Sequence, residues 1–159
     1  MTDNTTATPA PADAPAFRRV LFCTDFSENA DRAFPHALRA AALNPGAELH
    51  LLHVIPEPSA QFWKGYIYDL DADVDAQARR EIDRKLADAY RPRIPPSLPL
   101  VIAMRIGEAG QNILSYAEEN HIDLLVIGRQ GGTSVGKLLF GNVTERVVRK
   151  APCPVLVVP

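Results

Sequence analysis

The residues with the clearest chemical pattern are Gly128, Gly131, Gly132, Gly136 and Gly141, which punctuate the run GRQGGTSVGKLLFGNVT at 128–144. The run follows Leu124-Leu125-Val126-Ile127, an apolar stretch that reads as a buried strand, and precedes Glu145-Arg146-Val147-Val148-Arg149-Lys150, which reads as a helix. A strand, a glycine-rich loop and a helix together suit phosphate. Loop N–H groups and the helix N-terminus direct positive charge at one spot. Glycines let the backbone adopt φ > 0 or approach a ligand closely. Arg129 and Lys137 can neutralise phosphate charge.

Two phosphate motifs are tested against this spacing. Gly131 to Lys137 fits G-x-x-x-x-G-K, but Leu138 stands where a Ser or Thr hydroxyl must meet Mg²⁺. The dinucleotide fingerprint G-x-G-x-x-G follows none of the strands. Asp25, just past the first strand, is the main carboxylate of the expected crevice. It suits either a base or ribose contact or the start of a helix. His36, His50, His53 and His121 lack metal-like spacing, and His53 is expected within the sheet. No Ser-His-Asp, Cys-His or paired-carboxylate arrangement emerges, so no catalytic residue is assigned.

These groups need a scaffold. Residues 18–24 read as a first strand buried on both faces. Ser27 is a plausible N-cap for a helix with the stripe Ala30, Ala33, Phe34, Ala37, Leu38, Ala41, Ala42. Pro35 should kink that helix, and Asn44-Pro45-Gly46 ends it. Residues 48–55 form the second strand. A loop at 56–70 carries Phe62, Trp63, Tyr66, Ile67 and Tyr68, an aromatic group suited to a lid, a dimer contact or base stacking. A long helix over 69–91 has a narrow stripe of Val74, Ala78, Ile82, Leu86 and either Ala89 or Tyr90. A strand at 100–106, a helix from Gly107-Glu108-Ala109-Gly110 to about Asn120-His121, the fourth strand at 124–127, the loop, the last helix and a final strand at Val155–Val158 follow.

Alternation of this kind predicts an α/β fold, an open five-stranded parallel sheet with helices on both faces. Ligands in such sheets bind outside the carboxyl ends of the strands. Thr24-Asp25, Val54-Ile55 and the run from Ile127-Gly128 onward should therefore converge.

The chain has 159 residues, 47% hydrophobic, with net charge −2. That size implies one domain with a substantial core, here over 17–159. Residues 1–16 have too few apolar groups to offset their ordering entropy and are expected to be a disordered tail. The balance of charge gives no reason to expect nucleic-acid binding, and the apolar runs are too short for a membrane span. Cys23 and Cys153 are expected to be buried reduced thiols. No secretory signal is recognisable, and the cytoplasm is the expected compartment.

The motifs at 20–27 (VLFCTDFS), 51–55 (LLHVI), 123–128 (DLLVIG), 141–147 (GNVTERV) and 151–158 (APCPVLVV) occur in this order through the chain. With them, residues 17–159 resemble the universal stress protein family. The resemblance implies an adenine-nucleotide α-hydrolase-like domain, commonly a homodimer, in a family with both ATP binders and non-binders. Binders look like G-x2-G-x9-G-[ST], and Gly128, Gly131 and Gly141 fall on the three glycines. By the same resemblance, Asp25 with Thr24 matches the adenine end and Val54 the strand position whose backbone reads the base. Gly141, Asn142 and Val143 match backbone phosphate donors, flanked by Ile127, Arg129, Gly132 and Thr144. Asn142 departs from the Ser or Thr of the pattern, although Asn can also cap a helix.

The resulting expectation is a stress sensor or signalling adaptor that binds ATP together with Mg²⁺ and acts through an unidentified protein partner. Hydrolysis would be at most very slow. It would dimerise through Val155–Val158, whose apolar edge calls for a mate. The rival expectation is a nucleotide-free homodimeric interaction module with a vestigial pocket.

Overall fold

A computed structural model describes residues 17–56, 73–130 and 140–159, with the backbone alone at 73–78. Five strands, β1 (Arg19–Thr24), β2 (Glu48–Ile55), β3 (Leu100–Ile106), β4 (Leu124–Gly128) and β5 (Val155–Val158), form one sheet. Every pairing is parallel and the order is β3-β2-β1-β4-β5. The helices are α1 (Glu28–Ala42), α2 (Asp73–Tyr90), α3 (Ala109–Glu119) and α4 (Asn142–Lys150), with a 3₁₀ turn at Arg91–Arg93. The expected α/β architecture is present.

Alternation along the strands builds two cores. Val20 and Phe22, Leu49 and Leu51, and Leu124 and Val126 point to one face, where α1 and the end of α2 cover them with Phe34, Ala37, Leu86 and Tyr90. Leu21 and Cys23, Leu52, and Leu125 and Ile127 point to the other, beneath Ile113, Tyr116 and Ala117 of α3 and Val147 of α4. The central strands are apolar on both faces because helices cover both.

Local signals account for most boundaries. Ser27 caps α1, its Oγ accepting the Ala30 N–H at 3.2 Å. The α1 stripe buries Ala30, Ala33, Phe34, Ala37 and Ala41, whereas Leu38 is half-buried and Ala42 exposed. Pro35 lies on the exposed side of an unbroken helix, where water can satisfy the carbonyl it leaves unpaired. After α1, Asn44-Pro45-Gly46-Ala47 forms a turn closed by the Ala47 N–H on the Asn44 carbonyl at 3.0 Å. Gly46 supplies its positive φ of 78°.

Three expectations change. The last helix begins at Asn142, not Glu145, because its first turn is built on the Gly141 carbonyl, which accepts the Glu145 N–H at 2.9 Å. The fourth strand runs one residue further, to Gly128, where it still pairs with Val158. Cys153 is half-buried rather than buried, since it sits between Pro152 and Pro154 at the approach to β5. Both thiols are free, and burial pushes each upward in pKa, Cys23 the more strongly. The expected tail at 1–16, the aromatic loop (56–70) beyond Pro56, and the glycine loop from Gly131 to Leu139, with Gly132 and Lys137, lie outside the described residues.

Candidate functional site

The strand order reverses between β1 and β4. At such a point the two outgoing chains part in opposite directions and leave a crevice at the carboxyl ends. The sheet brings three of the expected segments into a row there: the ends of β2, β1 and β4, adjacent in that order.

At the β1 end, Thr24 is buried and Asp25 exposed. The turn between them and α1 is heavily tied. Asp25 Oδ1 accepts the Ser27 N–H at 3.0 Å. Thr24 Oγ1 accepts the Phe26 N–H at 3.0 Å and shares a 2.6 Å hydrogen bond with the Tyr90 hydroxyl. Phe26 has φ of 61°, a conformation uncommon for a bulky residue and held here by these bonds. Its ring lies 4.8 Å from that of His53, with the Lys85 ammonium 4.2 Å from its centroid.

At the β2 end, His53 is the ladder partner of Thr24, and its Nδ1–H donates to the Thr24 carbonyl at 2.8 Å. Burial lowers its pKa, only partly offset by that hydrogen bond and by the Asp25 charge, while Lys85 lowers it further. The imidazole is therefore neutral at pH 7, with the proton on Nδ1. Val54 follows, half-buried and packed on the second core. Sequence reasoning placed His53 correctly in the sheet but gave it no part in the site. Its signal was a polar residue at an inward-facing strand position.

At the β4 end, Ile127 and Gly128 are buried. A Cβ on Gly128 would come within 2.9 Å of the Asn29 carbonyl carbon and oxygen. Backbone of β4 and the first turn of α1 thus touch directly, and only glycine fits. Arg129 turns outward, its N–H donating to Val158 O at 2.7 Å. Its carbonyl accepts the Gly141 N–H at 3.0 Å. Thr144, 2% exposed, donates from Oγ1 to the Gly128 carbonyl at 2.9 Å. These two bonds fix the start of α4 over the end of β4.

Gly141 is the N-cap residue of α4 and offers no side chain for capping. Asn142 is the first helical residue and is exposed. Its side chain is therefore not the cap that its type allowed. Gly141 has committed its N–H to Arg129, so it is not among the groups free to meet a ligand. The N–H groups of Asn142, Val143 and Thr144 open the helix and have no acceptor within it. They carry the positive end of the helix dipole. Further along, Arg146 ties α4 to α3: its Nη1 meets Glu108 Oε2 at 2.8 Å. Glu108 also caps α3, accepting the Gly110 and Gln111 N–H groups.

The model of the universal stress protein family matches residues 16–159. The chain belongs to the universal stress protein family. Among relatives of this universal stress protein, one from Thermus aquaticus is 34% identical over 142 residues, covering 89% of this chain and 98% of that protein. Universal stress protein MJ0577 of Methanocaldococcus jannaschii is 28% identical over 156 residues, covering 89% and 94%. The structure of MJ0577 superposes with a TM-score of 0.71 over 91% of this chain and 96% of that one, at 27% identity. Two more distant structures share the fold. A universal stress protein in complex with cAMP has a TM-score of 0.59 at 24% identity, covering 91% and 98%. One from Archaeoglobus fulgidus in complex with dAMP has 0.61 at 20%, covering 91% and 100%.

Proposed function

We propose that this universal stress protein binds an adenine nucleotide, ATP in the first instance, at the carboxyl ends of β2, β1 and β4. The observation that carries the reading is the start of α4. Three N–H groups open the helix at Asn142, Val143 and Thr144, held over the end of β4 by the Thr144–Gly128 and Gly141–Arg129 bonds. A helix N-terminus seated at the switch point of a parallel sheet is well suited to a phosphate group. Gly131 and Gly132, which the sequence motif assigns to phosphate binding, lie outside the described residues. The nucleoside would then run across β1 toward Asp25 and the Val54 backbone. Relatives of the same fold whose structures are in complex with cAMP and with dAMP support an adenine nucleotide as the ligand class.

Mg²⁺ would arrive with the triphosphate, held by phosphate oxygens and water. Among the described residues no group of three His, Cys, Asp or Glu side chains gathers to hold a metal. The protein acts by binding rather than turnover, as a cytoplasmic sensor or adaptor whose nucleotide occupancy a partner protein reads. Titration calorimetry with Mg-ATP tests the reading: saturable heat with a thermal shift is expected, and neither would refute it. Mass spectrometry of denatured, freshly purified protein gives an independent answer by showing whether a nucleotide co-purifies.

A homodimer through β5 belongs to the same proposal. β5 is an edge strand, and Leu156 on it and Val148 on α4 are 39% and 46% exposed. Two such edges meeting about a two-fold axis would cover both.

A further inference from the structure

We infer that His53 is a positioning residue for the nucleoside: its Nδ1–H bond to the Thr24 carbonyl holds the end of β1 against β2, so that Asp25 and the Val54 backbone face one base and ribose. The inference rests on the nucleotide reading above and assigns a role to a residue outside the expected contact set.

The argument begins at the register. Thr24 and His53 are the last residues paired between β1 and β2. Beyond them β1 turns away into Asp25-Phe26-Ser27, while β2 continues to Ile55 beside β3. At that divergence the backbone ladder no longer joins the two chains. The 2.8 Å bond from the imidazole to the Thr24 carbonyl takes its place. The rest of the turn is tied close by. Thr24 Oγ1 receives Phe26 N–H and meets Tyr90, and the Phe26 ring leans on the imidazole itself. Asp25 sits between these fixed residues, with one carboxylate oxygen engaged by Ser27. The groups facing His53 are Thr24 and Asp25 from β1 and its turn, Phe26 beside them, and Lys85 from α2. A neutral ring donating at Nδ1 fits that setting.

The geometry makes the two ring nitrogens unequal, and that is testable. Asn places an amide N–H near the Nδ1 position, whereas Gln places one near Nε2. His53→Asn and His53→Gln are therefore compared in the full chain, with adenosine, ATP and inorganic tripolyphosphate as probes. Wild-type protein and His53→Asn should bind adenosine alike. His53→Gln should lose about three- to tenfold in adenosine and ATP affinity, the range expected for one hydrogen bond, and keep its tripolyphosphate affinity. Long-range ¹H–¹⁵N correlation of the wild-type imidazole should show the proton on Nδ1.

Equal adenosine affinity in all three proteins would overturn the inference. So would a parallel loss in both variants, or a loss for tripolyphosphate matching that for adenosine, since the ring would then act through general packing. Absence of adenosine and ATP binding in the wild type would instead bring down the nucleotide reading, and this role with it.

Discussion

Thr144 and Gly128, sixteen residues apart, are joined by a buried 2.9 Å bond from the threonine hydroxyl to the glycine carbonyl. The bond closes the base of the glycine-rich loop and sets where the first turn of α4 stands relative to the sheet. Thr144→Val keeps the shape and removes the donor, leaving a buried carbonyl unsatisfied. Destabilisation of about 1–3 kcal/mol is expected, together with weaker ATP binding. Thr144→Ser should recover most of both. Urea unfolding and calorimetry on the two variants check this, and equal loss in each would contradict it.

Gly128 itself has no room for a methyl group, because the Asn29 carbonyl occupies the space. Backbone cannot swing aside as a side chain can. Gly128→Ala should cost about 1–3 kcal/mol through overpacking, read as a lowered urea midpoint with an unchanged slope.

Asn142 is exposed at the first position of α4, where its backbone N–H rather than its amide faces the proposed phosphate. Asn142→Ser should therefore change ATP affinity by less than about tenfold, one hydrogen bond at most. Asn142→Asp separates fold from binding. Its charge suits the helix N-terminus and should add about 0.3–1 kcal/mol of stability, while opposing a bound triphosphate. A protein that binds ATP only after Asn142→Ser would favour the vestigial-pocket reading.

Stability should fall in two stages as pH is lowered. His53 has a pKa below the usual histidine value because its ring is partly buried. The unfolded chain thus takes up this proton first, and the stabilisation present above about pH 6.5 is lost as pH drops through the folded value. Glu48 is held below the usual glutamate range chiefly by its hydrogen bond from His50, with Arg19 adding to it. Its contribution is intact above the ordinary carboxylate range and disappears below it. His53→Asn should flatten the first stage alone and Glu48→Gln the second alone, in urea titrations across that range.

The proposed dimer rests on exposed apolar side chains of β5 and α4. Leu156→Lys with Val148→Glu should give a monomer by equilibrium sedimentation at micromolar concentration, with the fold retained. A monomeric wild-type protein would refute the dimer outright.

Much of the scaffold was legible residue by residue. Ser27 as a cap, Asn44-Pro45-Gly46 as a turn and the Ala30 to Ala41 stripe are local signals, set by backbone sterics and helix period. The alternation of strand and helix likewise determined a parallel sheet. Boundaries failed where the deciding contact was distant. α4 begins at Asn142 because Gly141 is pinned by Arg129 and Thr144 by Gly128, and neither bond leaves a trace in the nearby residue pattern.

The sequence by itself determined the fold class, the family and the positions of the glycines, since periodicity, turn chemistry and motif order are properties of neighbouring residues. Tertiary structure alone decided the strand order that brings β2, β1 and β4 together. It also decided that the Gly141 N–H is already engaged and that His53 joins two diverging strands. Hydrogen bonds between Gly141 and Arg129, or His53 and Thr24, depend on where separate segments meet in space, and spacing along the chain does not encode that distance.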